Sequence, residues 1–299
     1  MALVLSNVTK KFGEHIAVDN LNLEIPDREL FGFLGGNGAG KTTTFRMILG
    51  LLDQTAGEIA WNEESINYHK SHLIGYLPEE RGLYPKLKVK EQLIYLGKLR
   101  GMTKQSALAA LKRWLDRFHV SHYIDKKVEE LSKGNQQKIQ YISAVMHRPE
   151  LVILDEPFSG LDPINVEMMK EAVVDIKEKG TSVVFSSHQM DHVEELCENI
   201  CILREGNAVV QGNIKEIKRS FGKKNVRIDS DESLEFLREV DGVLSFKQRN
   251  DGCELQIRDE NVSQEIFAKL SGNGFIRKFE LEEPSLNDIF IEKVGENYE

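Results

Sequence analysis

Three observations predict an α/β fold built around a phosphate-binding loop and followed by a small α+β domain. The stretch Gly35-Gly36-Asn37-Gly38-Ala39-Gly40-Lys41-Thr42-Thr43 meets every fixed position of the G-x-x-x-x-G-K-[ST] pattern. Short apolar runs recur at 151–154 and 182–186, separated by a helix-like segment over 165–179. Such alternation implies a parallel sheet with ligands at the carboxyl ends of its strands. After Gly212 the character of the chain changes, and the order of elements reads βαββαβ, that of a ferredoxin-like plait.

From the N-terminus, residues 3–60 read as strands broken by turns, with the phosphate loop and one helix in their midst. Leu30-Phe31-Gly32-Phe33-Leu34 reads as a buried strand leading into the loop, and Phe45, Met47, Ile48, Leu49 and Leu51 as a helix leaving it. The glycines let successive N–H groups curl around an anion, and the helix starting near Lys41 aims its positive end at the same point. Lys41 would reach the β- and γ-phosphates of a nucleotide, and the Thr42 hydroxyl would hold Mg²⁺. Leu73-Ile74-Gly75-Tyr76-Leu77-Pro78 is a further short strand, ended by proline. Over 89–128 the pattern turns helical, with Leu93, Leu96 and Leu99 and then Leu108, Leu111, Leu115 and Phe118 at helical spacing, and Thr103 as a cap between them. A helical subdomain over about 86–140 follows from this.

Beyond Gly212 a charged stretch, 215–224, leads to strand-like 226–228 and helix-like 233–240. Strands at 243–249 and 254–258 flank an Asn250-Asp251-Gly252 turn, and a helix (262–270), a strand (276–281) and a last helix (285–294) complete the plait. The expected division is 1–220 for the nucleotide-binding part and 221–299 for the appendage, since 299 residues leave room for both.

Composition narrows the function classes. The formal charge of −9 makes an electrostatic nucleic-acid binder an unexpected reading. Cys197, Cys201 and Cys253 form no C-x-x-C pair and suit a reducing compartment. No apolar run approaches the roughly 18 residues that span a bilayer. Residues 1–8 pass straight into strand-like sequence without the blocks of a signal peptide, so an intracellular location is expected. His188 and His192 are four apart, as a metal pair on a helix would be, but no third ligand stands at suitable spacing. Trp61 and Trp114 read as packing residues.

The apolar strand Leu151-Val152-Ile153-Leu154 ends in Asp155-Glu156, the carboxylates that phosphoryl transfer needs beside a phosphate loop. Asp155 would bind Mg²⁺, and Glu156 would polarise the attacking water. Upstream lies Leu131-Ser132-Lys133-Gly134-Asn135-Gln136-Gln137-Lys138, which resembles the signature peptide of ABC-type ATPases, written LSGGQ. Ser159-Gly160-Leu161-Asp162 is similar to that family's D-loop, and His188 in Ser186-Ser187-His188 to its switch histidine. Phe12 in Lys10-Lys11-Phe12-Gly13 stands where the family places an aromatic against adenine. The resemblance covers about residues 1–220.

That resemblance implies an ABC cassette, a P-loop NTPase with a mixed-sheet core and a helical subdomain, that binds ATP and Mg²⁺ and hydrolyses ATP. Its nucleotide contacts would be Phe12, Val18, Asn37, Gly38, Ala39, Gly40, Lys41, Thr42 and Thr43. Ser132, Gly134 and Asp162 would reach a nucleotide held by a second cassette, in a homodimer or a heterodimer with another ABC ATPase. Glu156, His188, Lys41 and Glu79 would carry the chemistry, with Thr42, Asp155 and Glu79 as the metal set. Two departures from the family pattern stand out. Glu79 replaces the usual Q-loop glutamine, and Lys133 and Asn135 replace the signature's first glycine and its glutamine.

A cassette of this kind serves as the energising subunit of a transporter, in nucleic-acid work, or in a regulatory assembly. The apolar and aromatic stretch Arg81-Gly82-Leu83-Tyr84-Pro85 favours a transporter, as a socket for a membrane permease subunit on the inner face of the cell membrane. Paired cassettes in one chain or long coiled coils, which mark the nucleic-acid branches, do not occur. Residues 75–85, with the signature peptide and Glu283-Pro284-Ser285-Leu286-Asn287-Asp288-Ile289-Phe290 in the last domain, resemble bacterial exporter ATPases of the sodium-efflux and drug- or peptide-resistance type. For the last domain, dimerisation, regulation and simple bracing remain alternatives.

Overall fold

The computed structural model describes residues 2–62, 64–65, 72–80, 82–272 and 274–295. Arg81 of the expected permease socket lies outside the described residues. The chain forms two compact units, Met1–Gly212 and Asn213–Glu299.

The first unit holds two sheets. Strands β1 (Ala2–Phe12), β2 (His15–Pro26), β4 (Ala56–Trp61) and β5 (Glu64–Ser65) make an antiparallel sheet in the order β2-β1-β4-β5. The other six strands are β3 (Leu30–Gly35), β6 (Ile74–Leu77), β7 (Leu151–Asp155), β8 (Ser182–Ser186), β9 (Asn199–Arg204) and β10 (Asn207–Asn213), and their order is β10-β9-β3-β8-β7-β6. β3 pairs in parallel with β8 and β9, and β7 with β6 and β8. Every residue of β3, β7 and β8 is buried, which is why these strands read as unbroken apolar runs rather than as alternation.

Helix α1 (Lys41–Ile48) ties the two sheets together. Its Phe45, Met47 and Ile48 share one apolar cluster with Leu3, Leu5, Leu21 and Trp61 of the antiparallel sheet and Phe31, Phe33 and Ile153 of the parallel one. Phe33 and Phe45 meet with ring centroids 5.2 Å apart. Buried aromatic pairs of this sort add about 0.5–1.5 kcal/mol beyond their area. They fix the helix, and with it the loop at its start, against β3.

Helices α2 (Val89–Leu99), α3 (Lys104–Arg117) and α4 (Lys133–Val145) form the helical part. Thr103 caps α3 by accepting the Ser106 N–H, and Trp114 packs within α3 and α4 against Phe118 and Tyr141. Helices α5 (Pro163–Glu178) and α6 (Met190–Leu196) follow β7 and β8.

In the second unit α7 (Ile214–Ser220) precedes an antiparallel sheet of β11 (Lys224–Ser230), β12 (Val243–Arg249), β13 (Gly252–Ile257) and β14 (Ile276–Glu282), in the order β12-β13-β11-β14. With α8 (Asn261–Leu270) and α9 (Leu286–Val294) this is the strand order of the plait. The segment expected as a helix over 233–240 is instead a 3-10 turn, Glu235–Glu239. Leu234, Leu237 and Val240 are buried at a spacing of three, which suits the three residues per turn of a 3-10 helix.

Candidate active site

The site lies at the carboxyl ends of β3, β7 and β8. Because β8 sits between β3 and β7, the loop after β3 and the carboxylates after β7 flank the end of β8. Gly40 precedes α1 with φ +104, and a Cβ there would stand 2.5 Å from the Ala17 carbonyl oxygen. No other residue type fits both that backbone and that space. The Lys41 ammonium is turned back into the loop, donating to the Gly35 and Gly36 carbonyls at 2.7 and 3.1 Å. Burial lowers its pKa, while Glu156, Asp155 and Glu79 pull the other way.

Asp155 ends β7 almost wholly buried. Its Oδ1 accepts the Ser186 hydroxyl at 2.6 Å and its Oδ2 the Thr42 hydroxyl at 3.3 Å. Glu156, the next residue, adopts a left-handed φ of 52°, a conformation uncommon outside glycine that swings its side chain out of the strand. Three groups secure the residue. Its N–H donates to Ser186 Oγ at 3.2 Å, its carbonyl accepts from Gln137 Nε2 at 3.4 Å, and its Oε2 accepts the His188 N–H at 3.3 Å. Oε1 is buried without a hydrogen-bond partner, 3.4 Å from His188 Nε2. Burial raises the carboxyl pKa, against the pull of His188 and Lys41. A buried acceptor left open at a cleft is a place for a water or a ligand hydrogen.

A cleft of ≈380 Å³ joins these groups. Lining it are Phe12, Asn37, Gly38, Ala39, Gly40, Lys41, Thr42, Thr43, Glu79, Asp155, Glu156 and His188. Phe12 is half exposed, with the Lys10 ammonium 5.1 Å from its ring centroid. Val18 is not among the lining residues: it is fully buried beneath Gly40, and Ala17 and His15 line the wall instead. The role of Ser186 was missed as well. It ends β8, just before His188, and a hydroxyl at such a strand end was the available signal.

The signature residues stand outside this cleft. Ser132 is exposed as the N-cap of α4, accepting the Asn135 N–H at 3.3 Å, and Gly134 is half-buried in the first turn. Asn135 turns its amide to the Tyr123 hydroxyl at 3.2 Å. Asp162 is the exposed N-cap of α5, its carboxyl pKa lowered by the Asn165 N–H and side chain. His192 packs edge-on against Phe158 with ring centroids 5.0 Å apart.

A phosphate loop at a helix start, paired carboxylates two strands away across β8 and a histidine held against one of them define a nucleoside-triphosphate hydrolase of the α/β class. The comparisons with known proteins make that class specific. The family described as ABC transporter matches residues 18–159, and the family described as ATP-binding protein DrrA1-3-like, C-terminal domain, matches residues 212–294. An uncharacterized ABC transporter ATP-binding protein, YhaQ of Bacillus subtilis, is 65% identical over 99% of this chain and 100% of its own length. A Nod factor export ATP-binding protein I of Cupriavidus metallidurans is 31% identical over 98% of this chain and 97% of its own. A solved ATP-binding subunit of an ABC transporter superposes with a TM-score of 0.70 at 27% identity, over 74% of this chain and 94% of that one. The chain belongs to the family of ABC transporter ATP-binding proteins and carries a DrrA1-3-like C-terminal domain. It is an ATP-binding, ATP-hydrolysing subunit of such a transporter. Subunits of this family dimerise and work with membrane permease subunits, and among the described residues no helix is long and apolar enough to cross a membrane.

Proposed function

We propose that two copies of this chain, or one copy and a close relative, clasp ATP between the phosphate loop of one and Ser132, Gly134 and Asp162 of the other. The exposure of Ser132 and Asp162 on their own subunit supports this reading. Hydrolysis then loosens the pair, a two-state cycle that drives permease subunits at the inner face of the membrane to export a substrate. A Nod factor export protein among the relatives favours the direction of transport. The cargo itself would be recognised by the permease.

The unpartnered Oε1 of Glu156, buried at the cleft beside Lys41 and His188, carries the proposal. A water held there donates one proton toward Glu156 as its oxygen forms the bond to the γ-phosphorus, and the bond to the ADP oxygen breaks. His188 holds Glu156 in place from one side, and the N–H groups around Gly38 and Gly40 with Lys41 receive the charge gathering on the phosphate. Thr42 and Asp155 converge on one spot with oxygen atoms only, the donor type that Mg²⁺ prefers, and Glu79 at the rim adds a further carboxylate. Mg²⁺ bound there would offset phosphate charge. Phe12 would stack on adenine at the mouth.

Tyr84 and Leu87, exposed after Glu79, and Tyr95 and Leu99, exposed on α2, supply the apolar surface for a permease segment. Purifying the tagged chain from native membranes tests the assignment. Recovery of a polytopic membrane protein is expected, whereas recovery of ribosomes, of DNA, or of the chain alone would contradict it.

A further inference from the structure

A second cavity of the first unit is larger than the nucleotide cleft. It measures ≈590 Å³, against ≈380 Å³ for the cleft, and it opens at the opposite ends of β7 and β8, beside Glu150 and Thr181. We propose that it is a binding site for a small amphipathic anion, a molecule with an apolar body and one carboxylate, sulfonate or phosphate group.

Size and lining chemistry carry the inference. Pockets for small organic ligands measure roughly 300–1,000 Å³ and pair an apolar floor with a few placed polar groups. Here Val145, Met146, Pro149 and Ile176 are buried and form the floor, and the half-buried indole of Trp114 forms a wall. Arg113, Arg117, Arg148 and Lys179 surround them, with Glu150 as the one acid in the lining. In a chain of net charge −9 this is a local inversion of sign.

The four cations are not equivalent. Arg117 and Lys179 are both engaged by Asp175, each at 2.6 Å, and the Arg117 guanidinium lies 5.5 Å from the Trp114 ring centroid. Arg113 and Arg148 are exposed, and their side chains have no hydrogen-bonding or ionic partner among the described residues. Two free guanidinium groups beside an apolar-floored, aromatic-walled hollow fit an anion whose remaining surface is apolar. Each can bind a carboxylate or phosphate through two parallel hydrogen bonds.

Position gives the site a consequence. Its lining comes from the far ends of the elements that carry the nucleotide machinery. α4 starts at the Ser132 cap and ends at Val145, and α5 starts at the Asp162 cap and ends beside Ile176. β7 and β8 begin at the cavity and end at Asp155 and Ser186. Arg113 and Trp114, on α3, bring in the helical part. A ligand here bridges α3 to the sheet and α5. It shifts ATP affinity by some factor if that bridge differs between states, and ATP then shifts the ligand's affinity by the same factor. The site itself does not depend on the nucleotide roles proposed above.

Titration of the full chain with 8-anilinonaphthalene-1-sulfonate, an aromatic sulfonate, tests the proposal. The expected result is one saturable site, weakened about tenfold or more in the Arg113→Ala/Arg148→Ala double variant. Lys41→Ala, in the other cleft, should leave the affinity unchanged. Energy transfer from tryptophan to the dye should fall by more than half in Trp114→Phe, since Trp61 is the only other donor. Equal affinity in the double variant would overturn the proposal. So would loss of binding in Lys41→Ala, or full energy transfer in Trp114→Phe.

Discussion

The Ser186 hydroxyl donates to Asp155 Oδ1 at 2.6 Å, and the same oxygen accepts the Glu156 N–H at 3.2 Å. One buried side chain at the end of β8 thus orients both carboxylates at the end of β7. Ser186→Ala leaves Asp155 Oδ1 without its donor, at a cost of about 1–3 kcal/mol in stability. The expected kinetic effect is a fall of roughly tenfold in kcat with KM little changed, and Ser186→Thr should restore most of it. Steady-state ATPase assays check this, and an unchanged kcat in Ser186→Ala would remove Ser186 from the machinery.

Glu156 sets a pH dependence. Burial lifts its carboxyl above the ordinary value of 4.5, so across that interval the folded chain binds more protons than the unfolded one. Stability contributed at this site is therefore lost as pH rises through the raised pKa. Glu156→Gln should melt at a higher temperature than the parent at neutral pH, and the gain should vanish below pH 4.5. The acid limb of kcat/KM should also lie above the usual glutamate range. A melting temperature for Glu156→Gln at or below that of the parent at pH 7 would contradict the buried, ionised carboxylate.

Lys41→Ala removes a buried cation that spans the loop through two carbonyls. Loss of a charge-assisted contact to phosphate should weaken ATP binding by roughly ten- to a hundredfold. Equilibrium binding of a fluorescent ATP analogue is the check. Near-parent affinity would place the triphosphate elsewhere.

At the other end of the chain, Ser285 and Asp288 cap α9 reciprocally, and Asp288 also accepts from Asn225 at 2.8 Å. Ser285→Ala should cost about 1 kcal/mol. Hydrogen exchange of the α9 amides in the full chain should then speed up roughly fivefold. No change would mean that Asp288 holds the helix start without the serine.

Much of this arrangement was legible because it is local. The phosphate loop, the Leu151–Asp155 strand and the helix caps at Thr103 and Ser285 each declare themselves within a few residues. What the sequence concealed is assembled from distant segments. Nothing in residues 2–65 announces that β1, β2, β4 and β5 leave β3 to a separate sheet, since edge and partner are chosen by tertiary packing. The bridging role of Ser186 needs the register that sets it opposite Asp155. The burial of Val18, which takes it out of the cleft, depends on how Gly40 approaches β2. The cavity under Trp114 draws on α3, α4, α5 and two strand starts, so no window of sequence contains it.

The shared nucleotide is the central claim, and sizing chromatography of Glu156→Gln with and without Mg²⁺ and ATP tests it most directly. Blocked hydrolysis should trap the clasp, so the chain is expected to elute as a monomer without nucleotide and as a dimer with it, and Ser132→Arg should abolish the dimer while leaving ATP bound. Elution of ATP-loaded Glu156→Gln as a monomer, or a dimer indifferent to Ser132→Arg, would contradict it.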